Sequence, residues 1–182
     1  MMLALWRQPC LHRDNRHVDE IRERLIPCRV AVLNAWAAKP RFNIGNSAMT
    51  QAQIATVQAA YACFSKGDIP GILALLDPDV AWEHDWGGAT LKWYTPRKGR
   101  EDVSAFFASL ADFEFVRFEP FGFLAGENMV AVPIHIDLIF KPNGKRIRDL
   151  EMHLWTFNAD GKVIAFRHIV DTLQLARQTD QA

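Results

Sequence analysis

From residue 52 onward the apolar positions of the chain recur at helical spacing. Ile54, Val57, Tyr61 and Phe64 mark one helical face. Thr50 stands before them as an N-cap, and Gly67 stands after them as a stop. Asp68 then caps a second, short helix that runs to Leu76 and is halted by Asp77-Pro78. The period changes to two at Val80. Val80, Trp82, His84 and Trp86 share one strand face, and Ala81, Glu83 and Asp85 share the other. A loop over residues 87–98 leads into a third helix over 100–110, carrying Val103, Phe106, Phe107 and Leu110. Four long apolar segments follow, at 113–124, 128–140, 146–157 and 162–172. Hairpin chemistry separates them at 125–127, 142–144 and 158–161. Helices first and an antiparallel meander afterwards predict an α+β fold.

Residues 1–48 read differently. A helix over 18–33 would be interrupted by Pro27, and 40–47 has loop chemistry. We expect an N-terminal extension here, either disordered and preceding a natural start at Met49 or forming an arm that packs on a partner subunit. The domain proper is then 49–182. Charge separates the same two parts. Residues 1–48 hold eight Lys and Arg against four Asp and Glu, and the remainder holds thirteen against seventeen. A mildly acidic domain without a basic stripe argues against nucleic acid. Twelve phenylalanines and six tryptophans supply a real core. No stretch approaches the roughly 20 apolar residues of a membrane span. Cys10, Cys28 and Cys63 have no metal-ligand spacing and are odd in number, the usage of a reducing compartment, so a cytoplasmic location is expected.

Candidate chemistry lies on two strand faces. One is the His84 face just described. On the other, Asp149, Glu151, His153, Trp155 and Phe157 lie opposite Leu150, Met152 and Leu154. A titratable ring among tryptophans suits acid–base chemistry on an apolar substrate, because dry surroundings shift its pKa and strengthen its hydrogen bonds. The alternative is a polar network that only satisfies itself. His168 shares a face with Ile164, Phe166 and Val170 and can join the same cavity, whereas His135 falls out of phase with Ile134 and Ile136 and faces outward beside Asp137. Three histidines raise the question of a metal, but no i, i+2 or i, i+4 ligand pair is present, so none is expected. Arg97, Lys98 and Arg100 are either solvated or a guide for an anionic substrate. No phosphate loop, Gly-x-Ser-x-Gly or cysteine nucleophile context occurs, and no cofactor is expected.

The order of several soft motifs resembles the nuclear transport factor 2-like superfamily. They are Lys66-Gly67-Asp68 between two helices, residues 75–82 (Leu-Leu-Asp-Pro-Asp-Val-Ala-Trp), Lys98-Gly99-Arg100-Glu101 before the third helix, residues 157–163 (Phe-Asn-Ala-Asp-Gly-Lys-Val), and residues 168–172 (His-Ile-Val-Asp-Thr). Within it, the chain is most similar to SnoaL-like polyketide cyclases and ketosteroid isomerase-like proteins, over about residues 50–175. The resemblance implies a curved sheet wrapped around three helices into a cone with a ligand pocket at its mouth, and a homodimer through the outer sheet face. It places His84 where ketosteroid isomerases keep a carboxylate base and His153 where they keep a protonated acid. Their essential tyrosine would fall at Ala60, beside Tyr61. With two of three groups changed to histidine and the third absent, the positions persist and steroid isomerisation itself is not implied.

The expected activity is cofactor-independent acid–base chemistry on a hydrophobic, carbonyl-bearing small molecule: isomerisation, cyclisation or dehydration. His84 would take a proton from carbon, and His153 would donate to the oxygen that gains charge, supported by Glu151 or Asp149. Trp82, Trp86, Tyr61, Phe106, Ile134, Trp155, Phe166 and His168 would line the ligand site. The alternatives are a hydrolase resembling epoxide hydrolases, with Asp149 activating water, and a ligand-binding or dimerisation module without turnover.

Overall fold

Helix α1 (Ala48–Ser65) begins before Thr50, which is buried within its first turn instead of capping it. A computed structural model describes residues 48–83 and 91–181, all within one compact unit. Residues 1–47 of the predicted 1–48 extension lie outside the described residues, as do His84 and Trp86. The C-terminus of α1 closes as the sequence predicts. Gly67 takes φ 68°, its N–H donates to Phe64 O (3.0 Å), and the Asp68 N–H donates to Cys63 O (2.9 Å). Asp68 then caps α2 (Ile69–Leu75) by accepting from the Gly71 N–H at 2.9 Å.

Strand β1 (Leu76–Trp82) follows directly, then a 3-10 turn (Lys92–Tyr94), the short β2 (Arg97–Lys98) and α3 (Gly99–Ser109). The meander comprises β3 (Phe113–Pro120), β4 (Leu124–Gly126), β5 (Met129–Phe140), β6 (Lys145–Phe157) and β7 (Val163–Ile169), and α4 (Thr172–Gln178) ends it. Asp171 caps α4 by accepting from the Gln174 N–H at 2.9 Å. The segment predicted as one strand over 113–124 is therefore two. β3 and β4 both pair with β5, and the strand is interrupted between them from Phe121 to Phe123.

The sheet runs in the order β2-β1-β7-β6-β5-β3. It is antiparallel except where β1 lies parallel to β7. That exception follows from connectivity: β1 is separated from β7 by α3 and the rest of the meander, so no hairpin forces the two to oppose. Ladder irregularities between Phe115 and Arg117, between Leu76 and Ala81, and between Thr156 and Phe157 bend the curved sheet. Its concave side buries Trp82, Trp155, Phe157 and Phe166 against Val57 and Ala60 of α1 and Val103 and Phe106 of α3. No described helix is long and apolar enough to cross a membrane.

Candidate active site

The inner face of β6 carries Asp149, Glu151, His153, Trp155 and Phe157, as its alternation predicts. Register pairs His153 with His168 on β7, so both imidazoles enter one cavity. Their rings are perpendicular (86°), with centroids 4.4 Å apart. The cavity measures about 90 Å³ and is lined from α1 (Tyr61), β1 (Trp82), α3 (Phe106) and the sheet. That is several times the roughly 10–15 Å³ an ordered water needs and below the roughly 300 Å³ where drug-sized pockets begin.

Behind His153 stands a directional chain of hydrogen bonds. The Trp155 Nε1–H donates to Tyr61 Oη at 3.1 Å, and Tyr61 Oη lies 3.2 Å from His153 Nδ1. Burial pushes the Tyr61 phenol well above its ordinary pKa, with Trp155 opposing and Glu151 adding, so the phenol keeps its proton. His153 is neutral: burial, then the charge of His168, lowers its pKa to about 4 against the pull of Glu151. An indole can only donate, which leaves the phenol proton free for Nδ1; in the tautomer that accepts it, the imidazole hydrogen sits on Nε2. That Nε2 is buried without a hydrogen-bond partner, 3.6 Å from Glu151 Oε2. Trp82 Nε1, in the same cavity wall, is also unpartnered. Two buried ring nitrogens without hydrogen-bond partners therefore lie in one aromatic wall.

Phe106, Trp155, Phe166 and His168 line the cavity, and Asp149 lies at its edge with oxygens accepting from the amides of Leu150 (2.7 Å) and Asp171 (2.7 Å). Ile134 is fully buried in the core and is not part of the cavity wall. Arg97 and Arg100 brace the backbone: Arg97 donates to the carbonyls of Lys92, Trp93 and Thr95, and Arg100 donates to Leu76 O. Among the described residues no cluster of His, Cys, Asp and Glu could hold a metal ion.

Three contributors escaped the sequence pattern. Trp93 and Tyr94 line the cavity from a stretch read as loop, and their only signal was an aromatic pair beside Leu91. Glu83, assigned by alternation to the face opposite Trp82, is fully buried and hydrogen-bonded to the His168 ring. β1 ends at Trp82, and Glu83 takes φ 55°, which breaks the alternation. Burial alone would lower the His168 pKa, but the charge and hydrogen bond of Glu83, with Glu151 behind, raise it above the usual imidazole value.

Residues 57–166 match the SnoaL-like domain family, and the chain belongs to that family. It is similar to a nuclear transport factor 2-like protein of unknown function from Burkholderia pseudomallei, at 27% identity over 70% of this chain and 97% of that one, with a TM-score of 0.63. It is also similar to TerC co-crystallised with polyporic acid, at 26% identity over 71% and 98% of the two chains (TM-score 0.61). A polyketide cyclase assigned in Xanthomonas campestris shares the fold at 18% identity over 72% and 99% (TM-score 0.58). No curated protein matches the chain.

Proposed function

We propose that this protein is a cofactor-independent enzyme that moves protons on a compact, hydrophobic molecule at a carbon next to a carbonyl. Isomerisation, cyclisation and dehydration all begin with that step. The unpartnered Nε2–H of His153, fixed by the Trp155–Tyr61 chain in an aromatic cavity, carries this reading. A neutral N–H aimed at a carbonyl oxygen stabilises the charge that appears there when the neighbouring carbon loses a proton. Glu151, 3.6 Å from the same nitrogen, is the described group best placed to take that proton. His84, the base expected from the sequence, is its rival. The co-crystallisation of the similar TerC with polyporic acid supports a small molecule as ligand. A cytoplasmic location and a homodimer through the outer sheet face belong to the same proposal.

The test is exchange of α-hydrogens for deuterium in a small aromatic ketone such as 1-indanone, followed by proton NMR. Wild type should exceed the buffer rate, and H153N should lose about 10²-fold or more in kcat. E151Q and H84N should separate the two bases, since only the substitution of the true base removes turnover while ketone binding persists. Ketone binding without exchange in wild type would favour a ligand-binding module.

A further inference from the structure

Glu83 is tied to β7 through both ends of the residue. Its N–H donates to Phe166 O at 2.9 Å, one carboxylate oxygen accepts from the His168 backbone N–H at 3.3 Å, and the other is hydrogen-bonded to His168 Nδ1. The carboxylate is wholly buried, in a backbone conformation that only the surrounding structure makes tenable. Such a group persists when it has a cationic or hydrogen-bonding partner, and here that partner is a ring in the cavity wall. With Nδ1 engaged by Glu83, Nε2 is the nitrogen that His168 has left for a ligand. The two cross-strand histidines therefore differ in what stands behind them: a neutral phenol behind His153 and a carboxylate behind His168.

We propose that His168 is the proton donor of this cavity and Glu83 its positioning residue, so that His153 holds the substrate oxygen while His168 protonates it. This rests on the reading above, in which that oxygen lies at His153 Nε2. In the step, the His168 Nε2–H bond breaks and the proton passes to the oxygen. The imidazole keeps the electron pair, and Glu83 remains an anion. The proton that Glu151 removed from carbon restores the ring. The groups facing His168 agree with a ring that rests charged. Glu83 lies at the end of β1, Glu151 and the neutral His153 lie on β6 with Asp149 at the edge, and Tyr94 contributes an uncharged phenol 5.5 Å away. Arg97, the cation that shares the field of Glu83, is bonded to backbone carbonyls.

Imidazole proton–nitrogen correlation spectra of the full chain from pH 5 to 9 test the assignment. His168 should stay protonated above the ordinary imidazole midpoint in wild type, and E83Q should lower that midpoint by about one unit or more. Added 4-nitrophenol should shift both the His153 and His168 ring signals. In ketone exchange, E83Q should cut kcat about tenfold with KM nearly unchanged, move the alkaline limb of the profile to lower pH, and be partly rescued by E83D. A wild-type His168 that titrates ordinarily, a midpoint indifferent to E83Q, or ring signals blind to the phenol would each overturn the proposal. If wild type exchanges no ketone, the proton-abstraction reading fails, and the wild-type titration and the phenol shift still decide whether His168 holds a proton facing a ligand.

Discussion

Burial, and then the charge on His168, hold the His153 imidazole at a pKa of about 4, while the unfolded chain titrates it near 6.5. Between those values the unfolded state binds a proton that the folded state refuses. Stability present above pH 6.5 is therefore lost as the pH falls toward 4, on the order of 3 kcal/mol in all. His168 has the opposite sign. Its pKa is raised, so its contribution is complete below 6.5 and fades as the pH rises through the folded value. Asp137, lowered to about 2 chiefly by its hydrogen bond to Arg146, matters only below its ordinary 3.8. Urea unfolding from pH 4 to 7 should thus show an acid slope that H153N flattens, and a slope unchanged in that variant would assign the loss to another group. At this scale the sequence was legible where alternation holds. His153, Glu151 and Trp155 follow from period two along β6, and Tyr61 follows from the face of α1. Glu83 does not, because one left-handed residue after Trp82 sends its side chain back into the core.

Among the elements, α4 bears most directly on what the cavity accepts. It docks on β6 through a reciprocal pair in which the Gln174 Nε2–H donates to Arg148 O (3.0 Å) and the Arg148 N–H donates to Gln174 Oε1 (3.1 Å). The Asp171 amide also donates to Asp149. Leu175 projects from it into the cavity wall. L175A should destabilise the fold by about 2–3 kcal/mol, toward the low end for large-to-small core changes because the site is at a terminus. It should also enlarge the cavity. Calorimetry of 1-naphthol against 4-nitrophenol would check this: the larger ring should gain affinity relative to the smaller, and an unchanged ratio would mean that Leu175 does not bound the ligand. The capped end at Asp68 and the hairpins at 142–144 and 158–161 were readable, because turn and cap chemistry is local. The split of 113–124 into β3 and β4 and the parallel β1–β7 pairing were not, since both depend on which strand lies alongside.

For the whole domain, the unanswered demand is the convex side of the sheet. Leu150 is 59% exposed and Ile169 is 50% exposed, with Met152 and Leu154 only half-buried between them. His135 stacks on the exposed Phe121 with centroids 4.6 Å apart, and Asp137 accepts from Arg146 at 2.6 Å and Arg148 at 3.2 Å on the same side. An apolar strip rimmed by ordered charges has the composition of an interface core with a polar rim. A second copy of the chain satisfies it best, since a two-fold axis across β6 would set Leu150 of one protomer against the equivalent strip of its partner and remove both from water at once. Sedimentation velocity should therefore give a dimer for wild type. L150E, which sets like charges across such an axis, should shift it to monomer while leaving the cavity and ketone exchange within a few-fold of wild type. A wild-type monomer at micromolar concentration would dismiss the two-fold and leave the strip to a different partner. A dimer indifferent to L150E would move the interface to another face.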